Sequence, residues 1–164
     1  MTGSPELRWT HPIDRGELVS RPIPPAALAA GAGAVQAVMT RGRATTRGPR
    51  VLGAVIAAPS VYFLAGAVER FRRAGTTVDP RAGARASSLV TTGPNSRSRN
   101  PMYVAMAGLL LAHAAARRSA AAVLPAALFV AWVDRVQIPM EEAHLADRFG
   151  PEFEAYLRTV RRWI

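Results

Sequence analysis

The sequence contains no cysteine and no lysine. Without cysteine the chain can form no disulfide bond, no thiolate zinc site and no cysteine nucleophile. It also lacks the alternation of apolar and polar residues that half-exposed strands show, because its apolar residues occur in long runs. The lack of cysteine therefore excludes enzymes that use a cysteine nucleophile or a thiolate-bound zinc. The long apolar runs favour one helical domain over residues 1–164.

Positive charge is in large excess, and all of it is arginine. The 21 basic residues face 11 acidic ones, which leaves a net charge of +10. In a soluble protein this charge would suggest nucleic acid as a partner. Here the arginines flank the apolar runs, where they meet anionic lipid headgroups and set the membrane topology. We therefore expect membrane lipid as a partner, and no nucleic acid.

Two apolar runs are long enough to predict membrane helices. Residues 23–39 and 51–68 each reach roughly 25–27 Å at 1.5 Å per residue, close to a hydrocarbon core of about 30 Å. A polar segment, residues 1–21, precedes them. Gln36 is the strongly polar side chain within these runs, and Pro59 is expected to kink the second one.

Two shorter runs, residues 102–116 and 120–133, are separated by arginines at 117 and 118 and predict a short helical hairpin. The fold class we predict is an all-α, multi-pass membrane bundle of about four membrane helices, followed by C-terminal amphipathic helices that Gly150 and Pro151 divide. With four crossings, fifteen arginines lie on one side and six on the other. The positive-inside rule then places the larger set, and the loop that ends at residue 100, in the cytoplasm.

A basic turn leads into the first helix of this hairpin. Arg97 and Arg99 precede a helix start, where guanidinium groups and free backbone N–H groups favour a carboxylate or a phosphate. The alternative is that they are two more arginines of the cytoplasmic face. Asn100 and Pro101 suit the cap and first position of a helix, so a purely structural role also explains them. Tyr103 fits either an interfacial aromatic or a cofactor contact.

An acidic pair, Glu141 and Glu142, follows the hairpin in a helix predicted to begin near Pro139. Acidic side chains in a first turn stabilise the helix dipole, which accounts for one of them. Adjacent helical residues point in different directions, so the other is expected to face a ligand unless Arg135 neutralises it. Glu141 and His144 have the spacing of a di-metal ligand pair, but the sequence holds no second copy, and we expect no metal.

Several segments together resemble the isoprenylcysteine carboxyl methyltransferase and phospholipid methyltransferase superfamily, over about residues 71–164. These segments are Gly75-Thr76-Thr77-Val78-Asp79-Pro80, Leu89-Val90-Thr91-Thr92-Gly93-Pro94, Ser98-Arg99-Asn100-Pro101-Met102-Tyr103, and Glu141-Glu142 with Leu145, Phe149, Gly150 and Tyr156. The chain departs from the family pattern at Asn95 and Ser96, where Tyr-Arg is common, and at Ala105, where many members have glycine.

The resemblance implies a membrane enzyme that binds S-adenosylmethionine at the cytoplasmic face of the cell membrane. Carried over by position, the cofactor site consists of Arg99, Asn100, Pro101, Met102, Tyr103, Glu141 and Glu142. The implied reaction is methyl transfer to a lipophilic or small acceptor: an isoprenylcysteine-like carboxylate, a phospholipid or a thiol.

The role of each catalytic candidate depends on that acceptor. For a carboxylate or thiolate, Arg97 would orient it; for an amine, Glu141 or Glu142 would take its proton. Two alternatives stay open, an NADPH-dependent membrane reductase of the sterol type and a non-catalytic membrane protein. The oligomeric state is also left open.

Overall fold

A computed structural model describes residues 23–75 and 88–164. The predicted polar segment at 1–21 and motif residues 76–80 lie outside this part. Within the described ranges the chain is all helical and has no strand, which confirms the predicted class. The helices are α1 (Pro25–Met39), α2 (Arg47–Arg73), α3 (Pro101–Ala116), α4 (Val123–Trp132), α5 (Ile138–Phe149) and α6 (Pro151–Thr159), with a 3₁₀ turn at Gly93–Ser96 and a π turn at Val133–Gln137.

Two helical segments of the described chain are long and apolar enough to cross a membrane. They are Arg47–Arg73 and Val123–Phe149, each of 27 residues, or about 40 Å at 1.5 Å per residue. Helices α1 and α3 have 15 and 16 residues, which is below the usual length of a membrane span. The predicted four crossings therefore stay a prediction, while a helical membrane protein is supported.

The predicted hairpin has a longer second arm than expected. Helix α5 begins at Ile138, beside Pro139 as predicted, but α4 continues into it through the π turn, so the start of α5 is not a free helix end. Proline has no N–H, and its ring would collide with the carbonyl four residues back in an α-helix. In the π turn, the Ile138 N–H instead donates to the carbonyl of Val133, five residues earlier. Such a turn admits Pro139 without ending the helix.

This continuity changes the interpretation of the acidic pair. Glu141 and Glu142 lie inside a continuous helical segment rather than at a free helix N-terminus. Their backbone neighbours supply no cluster of unpaired N–H groups, so stabilisation of a helix dipole does not explain them.

Helices α2 and α3 pack closely because small residues line their contact. A Cβ added to Gly108 would lie 2.1 Å from the hydroxyl oxygen of Ser60, and one added to Gly53 would lie 2.7 Å from the Cβ of Ala116. Small residues of this kind let two membrane helices approach through their backbones. This contact holds α3, which begins at the predicted motif, against the longest helix of the bundle.

Helix α1 is joined to the hairpin by its one strongly polar side chain. Gln36 is fully buried, and its Nε2 donates to the carbonyls of Leu110 (3.0 Å) and Ala122 (2.6 Å). Its Oε1 lies 3.0 Å from Nδ1 of His113. All the polar atoms of this amide are thereby paired, as burial away from water requires.

The C-terminal segment after α5 returns to the start of α3. Gly150, at φ +45°, ends α5, and Pro151 begins α6, as the sequence predicted. Phe153 and Tyr156 on α6 are buried. The residues beyond α6 then run alongside residues 98–100, where the Arg99 N–H donates to the carbonyl of Arg161 (2.9 Å). This places the end of the chain beside the predicted motif.

Candidate functional site

A cavity of about 400 Å³ opens among the start of α1, the end of α2, the turn before α3, and helices α3, α5 and α6. Its size lies within the range of small-molecule sites, about 300–1,000 Å³. Its lining includes Leu89, Val90, Asn95, Arg99, Asn100, Pro101, Met102, Tyr103, Glu141, Glu142, Phe153 and Tyr156. All seven residues predicted to hold a cofactor are among them, so the fold brings two segments about forty residues apart to one cavity.

Glu141 carries a carboxylate with one oxygen held by the protein and the other free. Its Oε1 accepts hydrogen bonds from the Tyr103 hydroxyl (2.5 Å) and from Nε2 of Gln137 (2.6 Å). Within the described chain, Oε2 accepts none and no arginine pairs with this side chain. The two donors fix the orientation of the carboxyl group, and its second oxygen is left free to meet a ligand.

Glu142 is in the opposite situation. Its Oε1 accepts from Nη2 of Arg99 (2.8 Å), and its Oε2 accepts from Nη2 of Arg162 (2.7 Å). Arg135, considered above as the neutralising partner, instead lies 3.6 Å from Asp134 and is largely exposed. Because both oxygens already accept from guanidinium groups, Glu142 joins the start of α3 to the chain end rather than presenting a free charge.

Arg99 and Asn100 are both turned toward this chain end. Nη1 of Arg99 donates to the carbonyl of Val160 (2.5 Å), and Nδ2 of Asn100 donates to the carbonyl of Arg162 (3.0 Å). Asn100 occupies the N-cap position of α3 and Pro101 lies in the first turn, as predicted, but the Asn100 side chain makes no capping hydrogen bond. The polar side chains of the motif therefore form one wall of the cavity and brace it.

Arg97 is not brought to the cavity. It follows the 3₁₀ turn, its side chain is exposed, and it is absent from the cavity lining. Its proposed role in orienting an acceptor stays a prediction, without a contact to the other site residues.

Three residues that matter to the site were not singled out from the sequence. Gln137 lies four residues before Glu141, on the same helix face, and that spacing could have identified it. Arg162 is close to Glu142 only through the return of the chain end. Asn95 was noted as a departure from the family pattern, and the structure places it in the cavity wall.

Asn95 is held by α6. The Tyr156 hydroxyl donates to its backbone carbonyl (2.6 Å). Burial raises the pKa of Tyr156 to about 12, so the hydroxyl keeps its proton and remains the donor at neutral pH. The side-chain oxygen of Asn95 is buried and has no hydrogen-bond partner in the described chain; the same is true of Oε1 of Gln137.

The described residues contain no group of three or more histidine, aspartate or glutamate side chains arranged to hold a metal ion. The described chain thus combines two helical segments of membrane-crossing length with a cavity walled by a carboxylate, an aromatic hydroxyl and arginines.

Comparison with known proteins identifies its family. The model of the phospholipid methyltransferase family matches residues 49–152, more than half of the chain, and the chain belongs to this family. The match confirms the resemblance inferred from the motifs. It spans α2, α3 and both glutamates, and it ends before Tyr156 and Arg162.

An uncharacterized protein of Haemophilus influenzae is 33% identical over 63 residues, which are 38% of this chain and the whole of that protein. No solved structure matches the chain. Membership of a methyltransferase family supports a methyltransferase activity and, with the two long apolar helices, a place in the membrane.

Proposed function

We propose that this protein transfers a methyl group from S-adenosylmethionine to a lipid-like acceptor, and that the cavity beside Glu141 is where the two meet. The observation that carries the proposal is the state of Glu141. A half-buried carboxylate with two neutral donors on one oxygen and no arginine partner is suited to a cationic ligand. A carboxylate in such surroundings is a functional candidate in a membrane protein.

The remaining polar atoms of the cavity fit the same ligand. S-adenosylmethionine presents a sulfonium, an ammonium group, ribose hydroxyls and an adenine amino group, which are cationic groups or hydrogen-bond donors. The cavity supplies acceptors: the free oxygen of Glu141 and, in its wall, the unpaired side-chain oxygen of Asn95. Its other walls are mainly apolar, including Leu89 and Phe153, which suits the flat base.

When bound, the cofactor supplies an electrophilic methyl group. The contribution of the chain is to position the reactants and exclude water. Glu141 balances positive charge, and the fixed donors Tyr103 and Gln137 keep its carboxylate from reorienting, so little reorganisation is needed during the reaction. If the acceptor is an amine, Glu141 is the base that takes its proton; a carboxylate or thiolate acceptor needs none.

Glu142 is not assigned the role of a base. Two guanidinium groups occupy its oxygens, so neither oxygen is free to take a proton from an acceptor. Its proposed role is to hold the motif wall in place. The cytoplasmic placement of the site rests on the fifteen arginines counted on the side of the motif loop.

Ligand binding tests the proposal directly. The full-length protein in nanodiscs would be titrated calorimetrically with S-adenosylmethionine, with its product S-adenosylhomocysteine, and with NADPH. We expect the first two to bind and NADPH not to bind. Binding of NADPH alone would support a reductase, and binding of no ligand would support a non-catalytic protein; either result would overturn the proposal.

A pair of matched variants tests the role of Glu141. Glu141→Gln keeps the size of the side chain and removes its charge, and we expect binding of S-adenosylmethionine to weaken by about tenfold or more. Glu152→Gln removes a charge from the exposed first turn of α6 and is expected to change nothing. Transfer of labelled methyl to vesicle phospholipids, a prenylcysteine or a small thiol would then identify the acceptor class.

A further inference from the structure

The position of Asn95 is determined by contacts from three directions. Gly93, at φ +66°, opens the 3₁₀ turn that contains it. Pro94 packs so closely on α2 that a Cβ added to Gly66 would lie 2.8 Å from its Cγ. On the other side, the Tyr156 hydroxyl bonds the Asn95 backbone carbonyl at 2.6 Å. The residue is therefore held in place before any ligand arrives, as preorganised recognition requires.

The side chain of Asn95 is incompletely satisfied. The residue is only 4% exposed, it lines the cavity, and its Oδ1 has no hydrogen-bond partner in residues 23–75 and 88–164. A buried acceptor without a partner is rare in folded proteins, because it has given up water and gained nothing in return. The atom needs a donor, and because Oδ1 is itself shielded from solvent, the amide has to turn about its side-chain bond for a ligand in the cavity to supply one.

The surroundings of Asn95 indicate what kind of donor this is. Tyr156 lies against Phe153, with ring centroids 6.3 Å apart, and both rings line the same cavity. A buried amide beside aromatic side chains suits a flat heterocycle, whose faces contact apolar groups while its edge meets the amide. Asparagine recognises adenine in this way, accepting from the 6-amino group. A sulfonium or ammonium group would instead favour the charged Glu141.

We propose that Asn95 reads the adenine edge of the cofactor, with its Oδ1 accepting from the 6-amino group, and that it makes the site selective for adenine over a base with an oxygen at that position. This inference rests on the proposed function. It concerns a residue at which this chain departs from the Tyr-Arg that is common after Gly-Pro.

The test compares two stable ligands that differ only at that group, S-adenosylhomocysteine and S-inosylhomocysteine. In the second, an oxygen that accepts replaces the amino group that donates. We expect the wild-type protein in nanodiscs to prefer the adenosyl ligand by about tenfold or more. In Asn95→Leu the preference should fall to about twofold or less. In Asn95→Asp, which keeps an acceptor, the preference should persist.

Ser96→Ala is the matched control, because it alters the neighbouring exposed residue, whose hydroxyl bonds only the carbonyl of Gly93. It should keep the wild-type preference. An Asn95→Leu protein that binds both ligands with the wild-type ratio would overturn the inference while leaving the proposed function intact. Absence of S-adenosylhomocysteine binding in the wild type would refute the proposed function itself, so the two failures are distinguishable.

Discussion

Removing the charge of each of the two adjacent glutamates should affect different properties of the protein: stability for Glu142 and ligand affinity for Glu141. Glu142→Gln removes the charge that pairs with two arginines and replaces one of its two acceptor oxygens by a donor that faces a guanidinium group. Glu141→Gln leaves an amide oxygen that still accepts from Tyr103 and Gln137. We therefore expect Glu142→Gln to lower the free energy of unfolding. Glu141→Gln should keep its stability and bind the ligand more weakly.

The expected loss of stability in Glu142→Gln depends on how exposed the two arginine partners of Glu142 are. The Arg99 side chain is 13% exposed, so its ion pair, at 2.8 Å, contributes about 1.5–3 kcal/mol. The Arg162 side chain is 36% exposed, so solvent screening limits its pair, at 2.7 Å, to about 0.2–1 kcal/mol. Together, Glu142→Gln should lower the free energy of unfolding by about 2–4 kcal/mol. Glu141→Gln should change it by less than about 0.5 kcal/mol.

Denaturant titration of the detergent-solubilised protein measures these values, and double-mutant cycles with Arg99→Met and Arg162→Met separate the two pairs. The exposed pair Arg73–Glu69, with side chains 69% and 50% exposed, is an internal reference expected to couple by about 0.3–0.5 kcal/mol. A coupling between Arg99 and Glu142 no larger than this reference would refute the reasoning. So would a Glu141→Gln protein as unstable as Glu142→Gln.

Two further variants test the packing of the bundle. Gly53→Ala should greatly reduce the yield of folded protein, measured by size-exclusion chromatography, because its Cβ would lie 2.7 Å from the Cβ of Ala116 and 2.8 Å from the backbone carbonyl oxygen of Ala112. Gly31→Ala is the matched control, because nothing lies within 4 Å of a Cβ added at this position on α1, and it should be neutral or stabilising by up to about 1 kcal/mol. Equal yields of the two variants would contradict the close approach of α2 and α3. Gln36→Leu leaves the buried carbonyls of Leu110 and Ala122 without the donor that Gln36 supplies. It should lower the free energy of unfolding by about 1–3 kcal/mol and leave ligand affinity unchanged. Reduced affinity would show that α1 also positions the site.

Local patterns predicted much of the fold correctly. The apolar run at 51–68 lies inside α2, and the hairpin turns at the arginines that separate its two runs. Gly150 and Pro151 divide α5 from α6 at the predicted place, because a positive φ and a missing N–H act on the chain locally. Pro139 marks a helix start at Ile138, as predicted, but α4 runs into that start through a π turn rather than ending before it. The same proline is compatible with both outcomes, and the packing of the surrounding helix decides between them.

The site was predictable as a set of residues but not as a set of roles. All seven predicted cofactor residues line the cavity, while Arg97 does not reach it. Arg162 could not be identified, because it approaches Glu142 only when the chain returns after α6. Gln137 shares a helix face with Glu141 and was within reach of sequence reasoning.

The amino-acid sequence alone determined the helical class, the exclusion of cysteine chemistry, the family and the residues of the motif, since these depend on composition, spacing and short-range order. Only the tertiary structure decided which of two identical neighbouring side chains is available to a ligand. Consecutive residues on a helix point about 100° apart, so Glu141 and Glu142 meet different surroundings. Arginines 43 residues before and 20 residues after Glu142 neutralise it, while Glu141 faces the cavity with one oxygen free.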